Sequence, residues 1–142
     1  MSPSNFNDRL PVIEKTITHE QIQRYSQASG DFNPVHLDEA FAANSSFGRI
    51  VAHGMMTLAF LSEMLTKRFG VHWLSTGSLK VRFKRPAYPG DTLQTWGQLN
   101  RSKQNPGHTL IECDVALRNA SNGEDLITGT ATLRLPKEGE PL

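Results

Sequence analysis

The stretch that decides the fold is Gly54-Met-Met-Thr-Leu-Ala-Phe-Leu-Ser-Glu-Met-Leu-Thr-Lys-Arg-Phe69, which is apolar around nearly its whole helical circumference. A helix with apolar residues on all sides is typical of a protein interior. Lys67, Arg68 and Gly70 indicate the end of the helix, because cations and glycine are favoured there. We therefore predict a buried helix from Gly54 to about Phe69, with the rest of the chain packed around it.

After this helix the sequence alternates between apolar and polar residues at the period of a β-strand. The alternating segments cover residues 79–83, 93–99, 111–117 and 127–135. In the first of them, residues 79, 81 and 83 are predicted to face one side of the strand and Lys80, Arg82 and Lys84 the other. Asn122-Gly123 predicts a hairpin between the last two strands. One buried helix followed by antiparallel strands predicts an α+β domain in which a sheet wraps around the helix.

The segment before the buried helix carries clear boundary signals. Val12–Ile17 is predicted to be a short strand. Thr18-His-Glu-Gln21 fits a capping box at the start of a helix that Gly30 ends. Asp38 is predicted to cap a second, short helix that ends near Ala43.

Composition limits the class of protein. Hydrophobic residues make up 37% and charged residues 20% of the 142 residues, which is enough for one apolar core. We predict one domain over residues 1–142, with a polar tail from about residue 136. Fifteen Lys and Arg oppose fourteen Asp and Glu, for a net charge of +1. Nucleic-acid binding through bulk charge is therefore not expected.

A cytoplasmic location is expected from three features of the sequence. The single cysteine, Cys113, excludes a disulfide within the chain and fits a reducing compartment. The first residues lack the basic start and apolar run of a signal peptide. The longest apolar stretch, residues 54–61, is far shorter than the roughly 20 residues of a membrane-spanning helix.

The loop Asp31-Phe-Asn-Pro-Val-His36 places a carboxylate, a carboxamide and an imidazole on one short turn. Free Asp and His side chains have pKa values of about 3.9 and about 6.5, so a small shift caused by their surroundings can make one a base and the other an acid at neutral pH. Pro34 stiffens the loop, and a water molecule fits between Asp31 and His36. The same residues also fit an Asx turn in which His36 bonds only to backbone.

Ala52-His53-Gly54 begins the buried helix. The first amides of a helix have no partner within it and carry partial positive charge. Because Gly54 lacks a side chain, a carbonyl can approach its N–H closely and be polarised there. The plainer interpretation is that Gly54 allows tight packing at the helix start.

Lys80, Arg82 and Lys84, with neighbouring Arg85, form a basic stripe. The stripe either binds the phosphates of a large anionic substrate or is a solvated outer sheet face. Neither a metal-ligand spacing nor a Gly-rich phosphate loop occurs in the sequence, so no metal and no cofactor are expected.

Taken together, these motifs resemble the MaoC-like (R)-specific enoyl-CoA hydratases. The resemblance covers nearly the whole chain, in order, and rests on Tyr25-Ser-Gln-Ala-Ser-Gly-Asp-Phe-Asn-Pro-Val-His36, Asp38, Phe47, Ile50, Ala52-His-Gly-Met55, Val81-Arg-Phe-Lys-Arg-Pro86 and Pro89-Gly-Asp-Thr-Leu93.

This resemblance implies a hot-dog fold, in which an antiparallel sheet wraps around a long central helix. It implies a homodimer with a continuous sheet and with active sites at the dimer interface. The implied reaction is the reversible syn addition of water to a trans-2-enoyl thioester, which gives the (R)-3-hydroxyacyl thioester.

Carried over to this sequence, the resemblance makes Asp31 and His36 the catalytic pair, which activates water and passes a proton to the α-carbon. The Gly54 N–H is the expected donor to the thioester oxygen, and Asn33 is expected to order the loop or the water. The remaining substrate-binding candidates are Ser62 and Leu65 on the buried helix and Arg82 and Lys84 on the basic stripe.

Two other functions stay open at this point. One is a hot-dog thioesterase, in which water attacks the carbonyl carbon. The other is a non-catalytic subunit that binds acyl thioesters. The sequence also leaves open the acyl chain length, the choice between coenzyme A and acyl carrier protein, and the physiological direction of the reaction.

Overall fold

The computed structural model describes residues 8–137. In chain order these residues form β1 (Glu14–Thr16), α1 (His19–Ser29), a 3₁₀ turn (Pro34–His36), α2 (Glu39–Ala43), α3 (Gly54–Phe69), α4 (Val71–Thr76), β2 (Ser78–Phe83), β3 (Thr92–Asn105), β4 (His108–Asn119) and β5 (Asp125–Pro136).

The five strands form one antiparallel sheet in the order β1-β3-β4-β5-β2. Helix α3 packs against this sheet and shares its apolar core. Leu61, Met64 and Leu65 of α3 are fully buried together with Leu117 of β4 and Ile127 of β5. The predicted α+β architecture, a sheet around one central helix, is confirmed.

Local signals set the helices that carry the site. The Thr18 hydroxyl accepts the N–H of Gln21 and the Gln21 side chain accepts the N–H of Thr18, so the predicted capping box forms. Helix α1 ends at Gly30, whose φ of 78° is left-handed and favours glycine. The Asp38 carboxylate accepts the N–H of Phe41 and caps α2 as predicted. Helix α3 has the predicted bounds.

The structure extends the predicted elements in two places. Helix α4 follows α3 directly and was not predicted. It is held by buried Trp73, whose indole N–H donates to Ser62 Oγ at 3.0 Å. Strand β3 continues past the apolar alternation through the exposed polar residues 100–104, and β4 and β5 extend by a few residues at each end along the same backbone ladder.

Two expectations need correction. Helix α3 is not buried on every side of this chain, since Met55 is 59% exposed and Ala59 is also exposed. Phe83 does not enter the core with Leu79 and Val81 but is 53% exposed. The polar tail predicted from about residue 136 lies mostly outside the described residues, and Pro136 is the last residue of β5.

No helix within residues 8–137 has the length and hydropathy needed to cross a bilayer.

Candidate active site

Hydrogen bonds within the Asp31–His36 loop fix its shape. The Asp31 carboxylate accepts the N–H of Asn33 at 3.1 Å, and the Asn33 side chain accepts the N–H of Val35 at 3.1 Å. Pro34 then opens the 3₁₀ turn that ends at His36. These two Asx-type bonds explain why Asp and Asn occupy these positions, and they place Asn33 as a loop-ordering residue.

The imidazole of His36 has a defined proton arrangement. Its Nδ1 lies 2.7 Å from the carbonyl oxygen of Val51. A carbonyl oxygen only accepts, so Nδ1 carries the hydrogen and donates. In the neutral ring, Nε2 therefore keeps its lone pair and is able to take a proton.

Asp31 and His36 lie side by side, and His53 joins them. One carboxylate oxygen of Asp31 and one ring nitrogen each of His36 and His53 all lie within 4.8 Å of one another. A water molecule that makes two hydrogen bonds of about 2.8 Å bridges such a separation. The loop is therefore more than an Asx turn, because it also brings a carboxylate and an imidazole close enough to share one water molecule.

The N-terminus of α3 presents free amides next to this pair. His53 is the N-cap of α3 but makes no side-chain capping bond. Within the described residues, neither the Gly54 N–H nor the Met55 N–H has a hydrogen-bond acceptor. Gly54 is exposed, so an external carbonyl oxygen can reach its amide.

A cleft of about 340 Å³ connects His36 with Gly54. Its walls include Phe47, Phe83 and Lys84. The Phe83 ring lies against Gly54, since a β-carbon at position 54 would be 3.2 Å from Phe83 Cε1. Asp31 does not line this cleft itself but lies beside it, next to His36.

The other predicted substrate-binding residues occupy different surroundings. Ser62 is half-buried and accepts the indole N–H of Trp73, and Leu65 is completely buried in the core. Neither of them lines the cleft, and Arg82 lies on the exposed side of β2, away from it. Of these candidates, only Lys84 reaches the cleft; the roles of all of them stay predictions.

His53 has contacts that sequence reasoning did not assign to it. The ring is 2% exposed and stacks on His36 with ring centroids 3.8 Å apart. Burial lowers the pKa of His53, and the nearby His36 acts in the same direction, whereas the hydrogen bond to the Asp31 carbonyl opposes both. Its position directly before Gly54 was the one available signal, since that residue must lie beside the helix start.

The same three side chains are the only group of at least three His, Cys, Asp or Glu residues among residues 8–137 arranged to hold a metal ion. However, His53 Nε2 is within 3.1 Å of the Asp31 carbonyl oxygen, to which it donates. The engaged Nε2 is therefore not free as a ligand, and Nδ1, which has no hydrogen-bond partner among the described residues, is the ring nitrogen of His53 that keeps a lone pair.

A comparison with family models identifies the family of this chain. Residues 7–119 match the family model described as a MaoC like domain. The match covers most of the chain, and the chain therefore belongs to the MaoC-like dehydratase family.

Two named relatives match most of this chain. The chain is 36% identical over 118 residues to peroxisomal multifunctional enzyme type 2 of Mus musculus, a match that covers 80% of this chain and 16% of the relative. The chain thus spans about a sixth of that protein. It is 26% identical over 133 residues to 3-hydroxybutyryl-CoA dehydratase of Methylorubrum extorquens, covering 92% of this chain and 82% of the relative.

A solved structure supports the fold. The (R)-hydratase from A. caviae involved in PHA biosynthesis superposes with a TM-score of 0.75 at 24% identity, covering 90% of this chain and 94% of that one. This likeness shows the hot-dog fold for the present chain.

Proposed function

We propose that this protein adds water reversibly to a trans-2-enoyl thioester and forms the (R)-3-hydroxyacyl thioester. The observation that carries the proposal is the Asp31–His36 pair, with its atoms within 4.8 Å, beside a cleft that contains the free Gly54 N–H. Addition of water to an enoyl thioester needs a base for water, an acid for the α-carbon and a dipole on the carbonyl. The site offers all three.

In the first step, Asp31 and His36 hold the water molecule and one of them takes its proton. The water oxygen bonds to the β-carbon while the π-electrons of the double bond move through the α-carbon onto the thioester oxygen. The Gly54 N–H donates to that oxygen and stabilises the developing enolate.

In the second step, the enolate collapses and the α-carbon takes a proton from the Asp31–His36 pair. Both the hydroxyl and the proton are delivered from the side of this pair, so the addition is syn. The sum is substrate plus one water, and dehydration is the same path in reverse.

The basic stripe is proposed to bind the carrier of the acyl group. Lys80, Arg82 and Lys84 are exposed, and none of the three is in an ion pair among residues 8–137. Lys84 also lines the cleft. One free cation at the cleft, with two more on the exposed side of β2, suits the phosphates of coenzyme A.

We also propose that the protein works as a homodimer with a continuous sheet and with its sites at the interface. Strand β2 is at one edge of the sheet, with β5 as its one neighbour in the described chain. Met55 and Ala59 leave an apolar strip of α3 uncovered. A second copy paired through β2 would satisfy the free edge and cover this strip.

The test is a hydration assay with crotonyl-CoA and longer enoyl-CoA thioesters. We expect loss of the conjugated thioester absorbance, no release of free thiol, and an R configuration in the product. Thiol release would identify a thioesterase instead. Binding of enoyl-CoA with no turnover would identify a non-catalytic subunit.

The substitution Asp31→Asn tests the pair within the same assay. Asparagine can still accept the Asn33 N–H, so the loop is kept and only the charge is lost. We expect turnover to fall by about 10²–10⁴-fold. The matched control is Asp38→Asn, which likewise keeps its bond to the Phe41 N–H and should retain activity. Equal activity in both variants would contradict the role of Asp31.

A further inference from the structure

We propose that His53 is a positioning residue that aligns Asp31, His36 and the Gly54 amide with one another. The proposal rests on the proposed hydratase function. It assigns His53 no contact with substrate, and its role is to fix the geometry of the groups that do the chemistry.

The first tie runs from His53 to the loop that carries Asp31. His53 Nε2 lies 3.1 Å from the Asp31 carbonyl oxygen and 3.1 Å from Ser26 Oγ. The carbonyl oxygen only accepts, so Nε2 must carry the hydrogen. Through this one N–H, the ring joins helix α1, which contains Ser26, to the backbone of Asp31.

The second tie is to the face of the His36 ring. The two imidazoles stack at 3.8 Å with an interplanar angle of 25°. The bond from His36 Nδ1 to the Val51 carbonyl fixes one edge of the His36 ring, and His53 supports its face. Together these contacts hold the His36 ring at one edge and on one face.

The third tie is covalent, because His53 directly precedes Gly54 and caps α3. His53 therefore contacts Asp31 and His36 and also begins α3. The first amide of α3, the Gly54 N–H, is the proposed donor to the thioester oxygen. The His53 ring thus aligns two side chains of the loop with the first amide of α3. A misplacement of about 1 Å in such an arrangement can cost about 10²-fold in rate.

A direct catalytic role for His53 does not fit its surroundings. The ring is 2% exposed, its Nε2 is engaged, and its Nδ1 is buried without a hydrogen-bond partner in the described chain. The ionisable groups around the ring are Asp31, His36 and Tyr25, whose ring centroid is 4.8 Å away. Because Nδ1 has no acceptor to which it could donate among the described residues, the geometry favours the neutral ring with its hydrogen on Nε2.

Two variants separate the hydrogen bond from simple filling of space. His53→Gln keeps an N–H donor near the position of Nε2, whereas His53→Leu keeps an apolar side chain and has no donor. We expect His53→Leu to lower kcat for enoyl-CoA hydration by about 10²-fold with little change in KM, because the substrate contacts remain. His53→Gln should recover most of that loss.

Kinetic outcomes decide the proposal directly. An unchanged kcat in His53→Leu would overturn it, as would equal losses in the two variants or a change confined to KM. If His53→Leu does not fold, the comparison of wild type with His53→Gln still tests the donor, since a loss of 10²-fold with Gln would contradict its importance.

A spectroscopic readout needs no activity. Long-range ¹H–¹⁵N correlation spectra of the free protein at neutral pH should show His53 as the neutral Nε2–H tautomer and His36 as the Nδ1–H tautomer. An Nδ1–H tautomer or a charged ring at His53 would overturn the proposal. If the wild-type protein does not hydrate enoyl-CoA, the proposed function fails, while these spectra still test the tie to Asp31.

Discussion

The two ends of α3 differ in the burial of their side chains and in the hydrogen bonding of their backbone amides. Towards the C-terminus, Leu61, Met64 and Leu65 are completely buried, and the Gly70 N–H donates to the Thr66 carbonyl at 2.7 Å. At the N-terminus, Gly54 and Met55 are exposed, and within the described chain no acceptor pairs with their amides.

This contrast separates stability from chemistry along one helix. A helix end with unpaired amides is less stable than a capped one, and it is also ready to bind an anion or a polarised carbonyl. The buried end holds the helix against the sheet, so the free end is placed rigidly beside His36.

The largest effect is expected at the free end, from Gly54→Pro. Proline is tolerated at the first position of a helix, and the ψ of 135° at His53 suits a residue before proline. The substitution therefore removes the N–H while the helix is kept. We expect the rate of enoyl-CoA hydration to fall by about 10²–10³-fold, as for loss of an oxyanion donor in other enzymes.

The matched control for this change is Gly54→Ala. Alanine keeps the N–H and adds the same β-carbon, 3.2 Å from the end of the Phe83 ring. It should therefore lose far less activity than proline. Equal losses would mean that contact with Phe83, and not the amide, limits the reaction.

A smaller effect is expected at the buried end, from Ser62→Ala. This change leaves the indole N–H of buried Trp73 without its acceptor, which costs about 1–3 kcal/mol of stability. Chemical denaturation should show the loss, while kcat/KM per folded molecule stays close to wild type. A drop in kcat/KM without loss of stability would instead support the predicted role of Ser62 in the substrate site.

The smallest effect concerns pH and His53. Its pKa lies below the ordinary 6.5 in the folded protein, chiefly because of burial. Below about pH 6.5 the unfolded chain therefore binds a proton that the folded chain does not. The contribution of His53 to stability is present above this pH and is lost as the pH falls towards the folded pKa.

Urea denaturation between about pH 7.5 and 5.5 measures this loss. The wild-type free energy of unfolding should fall more steeply with decreasing pH than that of His53→Gln, by up to about 1.4 kcal/mol per pH unit. Parallel curves would show that His53 is protonated as easily in the folded protein as in the unfolded chain.

Local features of the fold were predictable because their causes are local. The capping box at Thr18, the glycine at Gly30 and the bounds of α3 follow from residues within one or two helical turns. Helix α4 was missed because six residues carry too little periodicity, and its anchor is a contact between Trp73 and Ser62 on another helix.

In the candidate site, too, the contacts within one segment were predictable and those between segments were not. Asp31, Asn33 and His36 lie on one turn, so their proximity followed from the sequence. The stacking of His53 on His36 and the contact of Phe83 with Gly54 join separate segments, and no periodicity reports such contacts. Ser62 and Leu65 were placed by family resemblance, and the cleft seen in the single chain does not include them.

The most direct test of the account is hydration of crotonyl-CoA in deuterated water, with the position of deuterium in the product read by NMR. We predict intact (R)-3-hydroxybutyryl-CoA with one deuterium on the α-carbon, on the same face as the new hydroxyl, because one acid–base pair delivers both. Free coenzyme A, or deuterium on the opposite face, would contradict the assignment of Asp31 and His36 as that pair.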